Sequence, residues 1–260
     1  MVIRRIREHA AQQNWFAVGI DLAIVVVGVF LGQQVSNWND DRKERAQSRE
    51  DRQRLIADLR ANEIDLSNRS EYFRSVLSHA ESALAALVAP SPKLGQGFLV
   101  DAYQATQIVP REAKHVAYDE ILATGRLTRL GDPVLRDRVG NYYILQRTTG
   151  VTFANVPAYR EKLRRAMPGA IQATIRSHCP ETRTELPDDT ILNTLPAQCD
   201  PALDAAIVAF GVHSVREIPE LEAELNRQIG DLTVKIELAT VMRGRAEKLR
   251  RQIAATDGPA

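Results

Sequence analysis

The feature that most constrains this chain is an almost unbroken apolar run, WFAVGIDLAIVVVGVFLG, at residues 15–32. Asp21 is the single formal charge inside it. At about 1.5 Å of rise per residue the run makes roughly 27 Å of helix, which is close to the thickness of a hydrocarbon core. The two tryptophans of the chain, Trp15 and Trp38, bracket the run, and indole rings settle at membrane interfaces. The pattern therefore predicts a transmembrane helix over residues 15–38.

A buried helix of a soluble domain and a cleaved signal peptide are the alternatives. The first is disfavoured because the run is apolar around its whole circumference. The second is suggested by the arginines at positions 4, 5 and 7, which precede the run as in a signal peptide. The residues after the run, QQVSNW, contain no small-residue cleavage pattern and no cysteine for lipidation. We therefore expect an uncleaved signal anchor, preceded by a short basic cytoplasmic segment at residues 1–14.

Charge alone does not orient this helix, because basic residues flank it on both sides. The two cysteines, Cys179 and Cys199, enclose a polar loop, PETRTELPDDTILNTLPAQ, that has little means of holding one shape. A disulfide closing such a loop contributes roughly 3 kcal/mol and persists only in an oxidising compartment. Pairing therefore predicts that the N terminus is cytoplasmic and that the bulk of the chain lies outside the cytoplasm. Two unpaired thiols in a cytosolic domain are the alternative.

Asp21 shares one side of the predicted helix with two glycines. At 100° per residue, Gly28 and Gly32 lie within roughly 20° of the Asp21 direction, and Ala17 lies close beside them. The two glycines form a G-x-x-x-G pattern, whose missing side chains allow another helix to approach closely. This stripe of Asp21, Gly28, Gly32 and Ala17 predicts a contact with a partner helix in the membrane. A tolerated acid that snorkels or is protonated is the alternative.

The remainder of the chain has the composition and periodicity of an all-α bundle. Aromatic residues make up 5% of the chain, and helix-forming residues are abundant. The first helix is expected to continue from the membrane to Val88, and a second long helix is expected to begin near Pro219. Packed antiparallel with a coiled-coil-like seam, they would form an extracytoplasmic bundle over residues 39–260. Shorter helices are expected at 98–107, at 113–124 and from Asp132 onward. A Cys-closed loop is expected at 179–199. The first seam consists of Leu55, Leu59, Asn62, Leu66, Arg69, Phe73, Val76, Ala80, Leu84 and Leu87, and the second of Ile218, Leu221, Leu225, Ile229, Leu232, Ile236, Ala239, Ala246, Leu249 and Ile253.

No sequence pattern predicts an enzyme, a cofactor or a metal centre. The net charge of +1, from 34 basic and 33 acidic residues, gives no global field for nucleic acid. Phosphate-binding, zinc-protease and hydrolase motifs are absent from the sequence. The nearest approaches are His115 and Asp119, one helical turn apart, and His178 beside Cys179. Isolated pairs of this kind are more often ordinary polar residues, so we predict no catalytic residues, no cofactor and no metal.

Two stretches resemble a known group of proteins. QNWFAVGIDLAIVVVGVFLGQQVSNWND and AYDEILATGRLTRLGDPVLRDRVGNYY are similar to a family of uncharacterised bacterial single-pass inner-membrane proteins, whose N-terminal anchor ends in an Asn-Trp-Asn motif. The N-terminal motif is the specific part of the resemblance. The resemblance implies an inner-membrane anchor with a helical extracytoplasmic domain, and it implies no activity.

Two functional hypotheses follow. In the first, the protein is a membrane-anchored interaction or accessory protein that lies in the lipid bilayer and binds a partner membrane protein or a second copy of itself. In the second, the bundle is a periplasmic small-ligand sensor or binding module. A filled core with an exposed apolar patch favours the first, and a deep pocket with convergent polar groups favours the second. An enzyme comes third, and it requires His115 to be exposed in a cleft beside Asp119.

Overall fold

The predicted all-α class is confirmed. The computed structural model describes residues 15–92 and 94–256, without the side chains of Trp15, Ala17 and Val18, so the predicted basic segment at residues 1–14 lies outside the described residues. The first helix, α1, runs over Trp15–Val88 and ends where the sequence predicts. Contacts divide the chain between Asp51 and Arg52 into two units.

In the first unit, α1 has almost no cover from the other residues that the structure describes. Between Gly19 and Gln47 every side chain is exposed except that of Asp21, which is half-buried. In the described residues this is the one helix that is long and apolar enough to cross a membrane, by length and composition.

In the second unit, the predicted first seam of α1 is the buried face of the helix. Eight of its positions are fully or almost fully buried, and the last two, Leu84 and Leu87, are half-buried. The buried positions are Leu55, Leu59, Asn62, Leu66, Arg69, Phe73, Val76 and Ala80. The spacing of three and four residues puts all of them on one side of the helix, as predicted.

The second long helix, which we call α8, runs over Leu221–Ala255. Three pairs connect it to α1: Glu63 with Arg250 at 2.6 Å, Ser67 with Arg243 at 3.3 Å, and the Phe73 ring with Lys235 Nζ at 5.6 Å. The residue numbers rise along α1 as they fall along α8. The two long helices are therefore antiparallel, as the sequence predicts.

Shorter helices fill the unit between the two long ones. They are α2 Gln96–Gln104, α3 Val116–Ala123, a 3-10 turn Arg126–Arg129, α4 Pro133–Ala154, α5 Ala158–Ala166, α6 Gly169–His178 and α7 Ala205–Arg216. The predicted helices at 98–107 and 113–124 exist with shifted ends. The predicted start at Asp132 is confirmed, because its carboxylate accepts a 2.8 Å bond from Leu135 N at the first turn of α4.

The core joins α4 to both long helices. Phe153 of α4 stacks on Phe73 of α1 with ring centroids 6.0 Å apart, and α4 also packs along α8. On the other side, α2 packs against α5, α6 and α7, and α5 packs against α8. The interior of the second unit is thus filled by apolar side chains from nearly every helix.

The loop between the cysteines has more structure than the sequence led us to expect. Strands β1 Thr182–Glu185 and β2 Ile191–Thr194 pair antiparallel, with Thr182 opposite Thr194 and Glu185 opposite Ile191. A turn bond of 2.8 Å from Leu186 N to Thr190 O closes the hairpin. The expectation of a loop without fixed shape was wrong, because these residues pair with each other and also bond to α1.

Candidate functional site

The two glycines of the predicted membrane stripe lie uncovered on α1, and Asp21 is half-buried. Gly28 and Gly32 are exposed, and a Cβ added at either would meet no atom within 4 Å. Trp38 is 65% exposed. Trp15 and Ala17 belong to the helix, but their side chains lie outside the described part of the structure. The described side chains therefore leave this stripe available to lipid or to another helix.

The two cysteines are adjacent at the end of α6. Cys179 and Cys199 form a disulfide with Cα atoms 5.7 Å apart, a separation that falls within the usual range for disulfides. Cys179 is buried in the core, and its carbonyl accepts a 3.0 Å bond from Gln104 Nε2 of α2. The bond thus attaches the far end of the hairpin segment to the interior of the bundle.

Side-chain hydrogen bonds join the hairpin to α1. Asn68 makes a double contact with the Asn193 backbone, accepting from its N–H and donating to its carbonyl, each at 2.9 Å. Tyr72 donates a 2.5 Å bond to Glu181, and Arg111 donates a 2.6 Å bond to the Asn193 side chain. Burial raises the pKa of the Tyr72 hydroxyl, so it remains a donor.

A buried ionic cluster lies beneath the hairpin. Asp65 receives Arg69 Nε at 2.6 Å and Arg111 Nη2 at 2.5 Å. Arg69 also donates to the Arg111 carbonyl at 2.6 Å and lies over the Phe153 ring at 5.2 Å. Burial lowers the pKa of the Arg111 guanidinium, and Asp65 opposes that shift. The cluster holds the segment before α3 against α1, and it is the reason that Arg69 can occupy an otherwise apolar seam.

Next to this cluster is a half-open groove of about 660 Å³. It is lined mainly by apolar surface, and its polar groups come from the segment before α3 and from α4. Its lining includes Pro110, Arg111, His115, Gln146, Arg147 and Val151. A smaller pocket of about 30 Å³ shares Arg111 and Gln146 with the groove and reaches inward to the ionic cluster.

The pair that the sequence singled out borders this groove. His115 Nδ1 lies 2.7 Å from Asp119 Oδ2, and Arg147 Nη2 lies 2.6 Å from Asp119 Oδ1. His115 Nε2 is 3.8 Å from the Glu112 carboxylate. The His115 side chain is 36% exposed and lies beside Asp119 at the groove, which is the observation that keeps the enzyme hypothesis open. No nucleophilic hydroxyl or thiol is hydrogen-bonded to it in the described residues, and none of their His, Cys, Asp and Glu side chains cluster in groups of three to hold a metal.

A second surface feature is the apolar outer side of α7. Asp204 caps the helix by accepting bonds from Ala206 N at 2.8 Å and Ile207 N at 3.4 Å. The outer side carries Ile207 and Phe210, 42% and 61% exposed. The opposite side packs tightly, because a Cβ at Gly211 would clash with an Ile171 methyl group. The helix is therefore apolar on both sides, and the second unit covers one of them.

Sequence reasoning missed the groove and the α7 surface. The groove is built from side chains some 35 residues apart, and no spacing rule connects them. The α7 surface had a signal, the apolar stretch AAIVAFGV, but such a stretch is equally typical of a buried helix. Comparison with family models, curated proteins and solved structures gives no match to this chain. The resemblance to the inner-membrane family therefore stays a prediction.

Proposed function

We propose that this chain is a membrane-anchored interaction protein, with its N terminus cytoplasmic and its helical bundle in the periplasm at a bacterial inner membrane. In this proposal, α1 crosses the lipid bilayer and the Asp21 stripe contacts a helix of a partner membrane protein. The bundle binds the same partner from outside the membrane through α7.

The proposal rests on one observation: the outer side of α7 is apolar and uncovered, although the core of the second unit is filled. Burial of a side chain such as Phe210 contributes about 1.5–3 kcal/mol. The second unit contains a large apolar cluster, yet it leaves Ile207 and Phe210 in water. A partner that covers them would gain this free energy. Such a surface, rather than a deep cavity, supports the first of the two functional hypotheses.

The proposed orientation depends on the disulfide. If the bundle is periplasmic, Cys179 and Cys199 are joined in protein taken from native membranes, and a thiol reagent labels neither until a reductant is added. Labelling of both cysteines without reductant would contradict the periplasmic location. Labelling of cysteines introduced singly at exposed Ser78 and at residue 2, in intact cells, tests the two ends of the chain independently.

The partner contact is tested by mild-detergent purification from native membranes. Wild type is compared with Asp21→Asn, with Phe210→Asp, and with Val241→Asp, which places the same charge at an exposed valine of α8. We expect a second membrane protein to co-purify in stoichiometric amount with wild type and with Val241→Asp. Phe210→Asp should raise the Kd of the complex with that protein roughly 10- to 150-fold. Recovery of this chain alone, at one particle size in all four samples, would overturn the proposal. A particle that is dimeric in wild type and monomeric in Phe210→Asp would replace the foreign partner with a second copy.

A further inference from the structure

The small pocket behind the groove has a buried hydrogen-bond acceptor without a partner. Gln146 is 9% exposed, and its Nε2 donates to the Lys114 carbonyl at 3.2 Å. Because a carbonyl accepts and does not donate, this bond fixes which end of the amide is nitrogen. Gln146 Oε1 is buried and has no hydrogen-bond partner. An unsatisfied buried oxygen of this kind has a free-energy cost that a ligand donor would remove.

The same pocket has a buried donor without a partner. Arg111 uses Nη1 on Asn193 and Nη2 on Asp65. Its Nε–H is buried and bonds to no acceptor. Arg111 and Gln146 both line the small pocket and the groove in front of it. Two residues that line both the small pocket and the groove therefore each contain a buried polar atom without a partner, one a donor and the other an acceptor.

The charges around the groove favour a neutral occupant. Arg147 is paired with Asp119 at 2.6 Å, and Arg111 is paired with Asp65 at 2.5 Å. A carboxylate entering the small pocket would face the Gln146 oxygen, which repels it. An ammonium group would face the Arg111 guanidinium. A neutral group that both accepts and donates suits both walls, and an amide does so with separate atoms.

We propose that the groove binds a neutral amide with an aliphatic substituent. The amide enters the small pocket, where its carbonyl accepts from Arg111 Nε and its N–H donates to Gln146 Oε1. The aliphatic part lies in the outer groove against Val151, which is 73% exposed. This site is independent of the α7 contact, so either proposal stands if the other fails.

The test uses two isosteric probes, isovaleramide and isovalerate, with the full chain in lipid nanodiscs. Saturation-transfer NMR detects weak binding through the probe methyl groups, and nanodiscs without protein give the blank. We expect the amide to bind and the carboxylate to bind with a Kd at least about tenfold higher. Equal binding of the two probes would overturn the proposal. So would the absence of signal above the blank, which would mean that the pocket holds water only.

Two variants locate the binding. Gln146→Met removes the acceptor and should abolish the amide preference. Gln146→Met also removes the bond to the Lys114 carbonyl, so a second variant is needed that leaves the buried residues unchanged. Val151→Lys is that variant, and it blocks the outer groove. Ile144→Lys is its matched control, since Ile144 is exposed on the same helix and does not line the groove. Amide binding lost in Val151→Lys and kept in Ile144→Lys supports the site, and equal binding by these two variants would overturn it.

Discussion

Helix α1 contains two stretches with opposite relations to their surroundings. Over residues 19–32 it is apolar on all sides, apart from the half-buried Asp21, and its other side chains are exposed. Over residues 52–88 it has one buried face, and that face includes the polar Asn62, Asp65 and Arg69. The first stretch therefore places apolar side chains outside, and the second places polar side chains inside.

The comparison shows that hydrophobicity alone does not decide which positions of a helix the chain itself covers. In the second stretch, each polar side chain in the seam has partners. Asn62 exchanges two hydrogen bonds with Lys114, at 2.7 and 2.8 Å, and Arg69 is paired with Asp65. In the first stretch the described structure provides no cover, so the environment must supply it. Four predictions test this difference, from the largest expected effect to the smallest.

Asp65→Leu should lower the free energy of unfolding of the second unit by about 3–5 kcal/mol, because it leaves two arginines buried without a carboxylate. Chemical denaturation followed by circular dichroism measures the change. Glu71→Leu, an exposed acid on the same helix, is the control and should change stability by no more than about 0.5 kcal/mol. A change below about 1 kcal/mol for Asp65→Leu would show that the seam does not depend on its ion pairs.

Val26→Arg should weaken membrane insertion and leave the folding of the second unit unaffected. A charge in the middle of the apolar stretch costs about 2.5–3.5 kcal/mol for membrane insertion, so the fraction of protein that resists carbonate extraction should fall. The free energy of unfolding of the second unit should not change. Val26→Leu is the control. If Val26→Arg destabilises the bundle instead, the first stretch is packed against protein and not lipid.

Asn68→Leu should release the hairpin and leave α1 folded. The substitution leaves the Asn193 N–H and carbonyl without their buried partner, at a cost of about 1–3 kcal/mol. Hydrogen exchange in residues 182–194 should then accelerate by roughly 5- to 150-fold, while exchange in residues 52–66 stays unchanged. Ser78→Ala, an exposed change on the same helix, should alter neither. Faster exchange over all of α1 would show that the hairpin is part of the helix's own stability.

The smallest effect concerns the ion pairs at the start of the second unit. Glu120 accepts bonds from Arg54 of α1 and from Arg126, and these hold its pKa at about 2, against an ordinary 4.5. Because the folded-state pKa is depressed, the stabilisation is complete above about pH 4.5 and is lost as the pH falls towards 2. The urea midpoint of wild type should therefore fall more than that of Glu120→Gln between pH 5 and pH 2.5. Glu112→Gln, at a highly exposed acid, should follow wild type.

The seams were predictable because helical periodicity is local. A residue's place on the helix face follows from its number, and Arg69 could be assigned to the buried face although it is charged. The Asp132 cap was predictable for the same reason. The buried cluster around Asp65 was not predictable in full: Arg69 is one helical turn away on the same helix, but Arg111 is more than 40 residues away and no local pattern connects it to Asp65. The groove at Arg111, Gln146 and Val151 was unpredictable for the same reason, because its residues are distant in the sequence.

The sequence by itself determined the all-α class, the extent of α1 to Val88, the antiparallel pair of long helices and the two cysteines as a candidate pair. Each of these depends on composition, on short-range spacing or on the fact that the sequence has two cysteines. The tertiary structure alone decided that the Cys-closed loop is a hairpin bonded to Asn68, that Arg69 is neutralised by Asp65, and that α7 keeps an apolar side in water. These depend on contacts between distant segments, which exist only after the chain has folded.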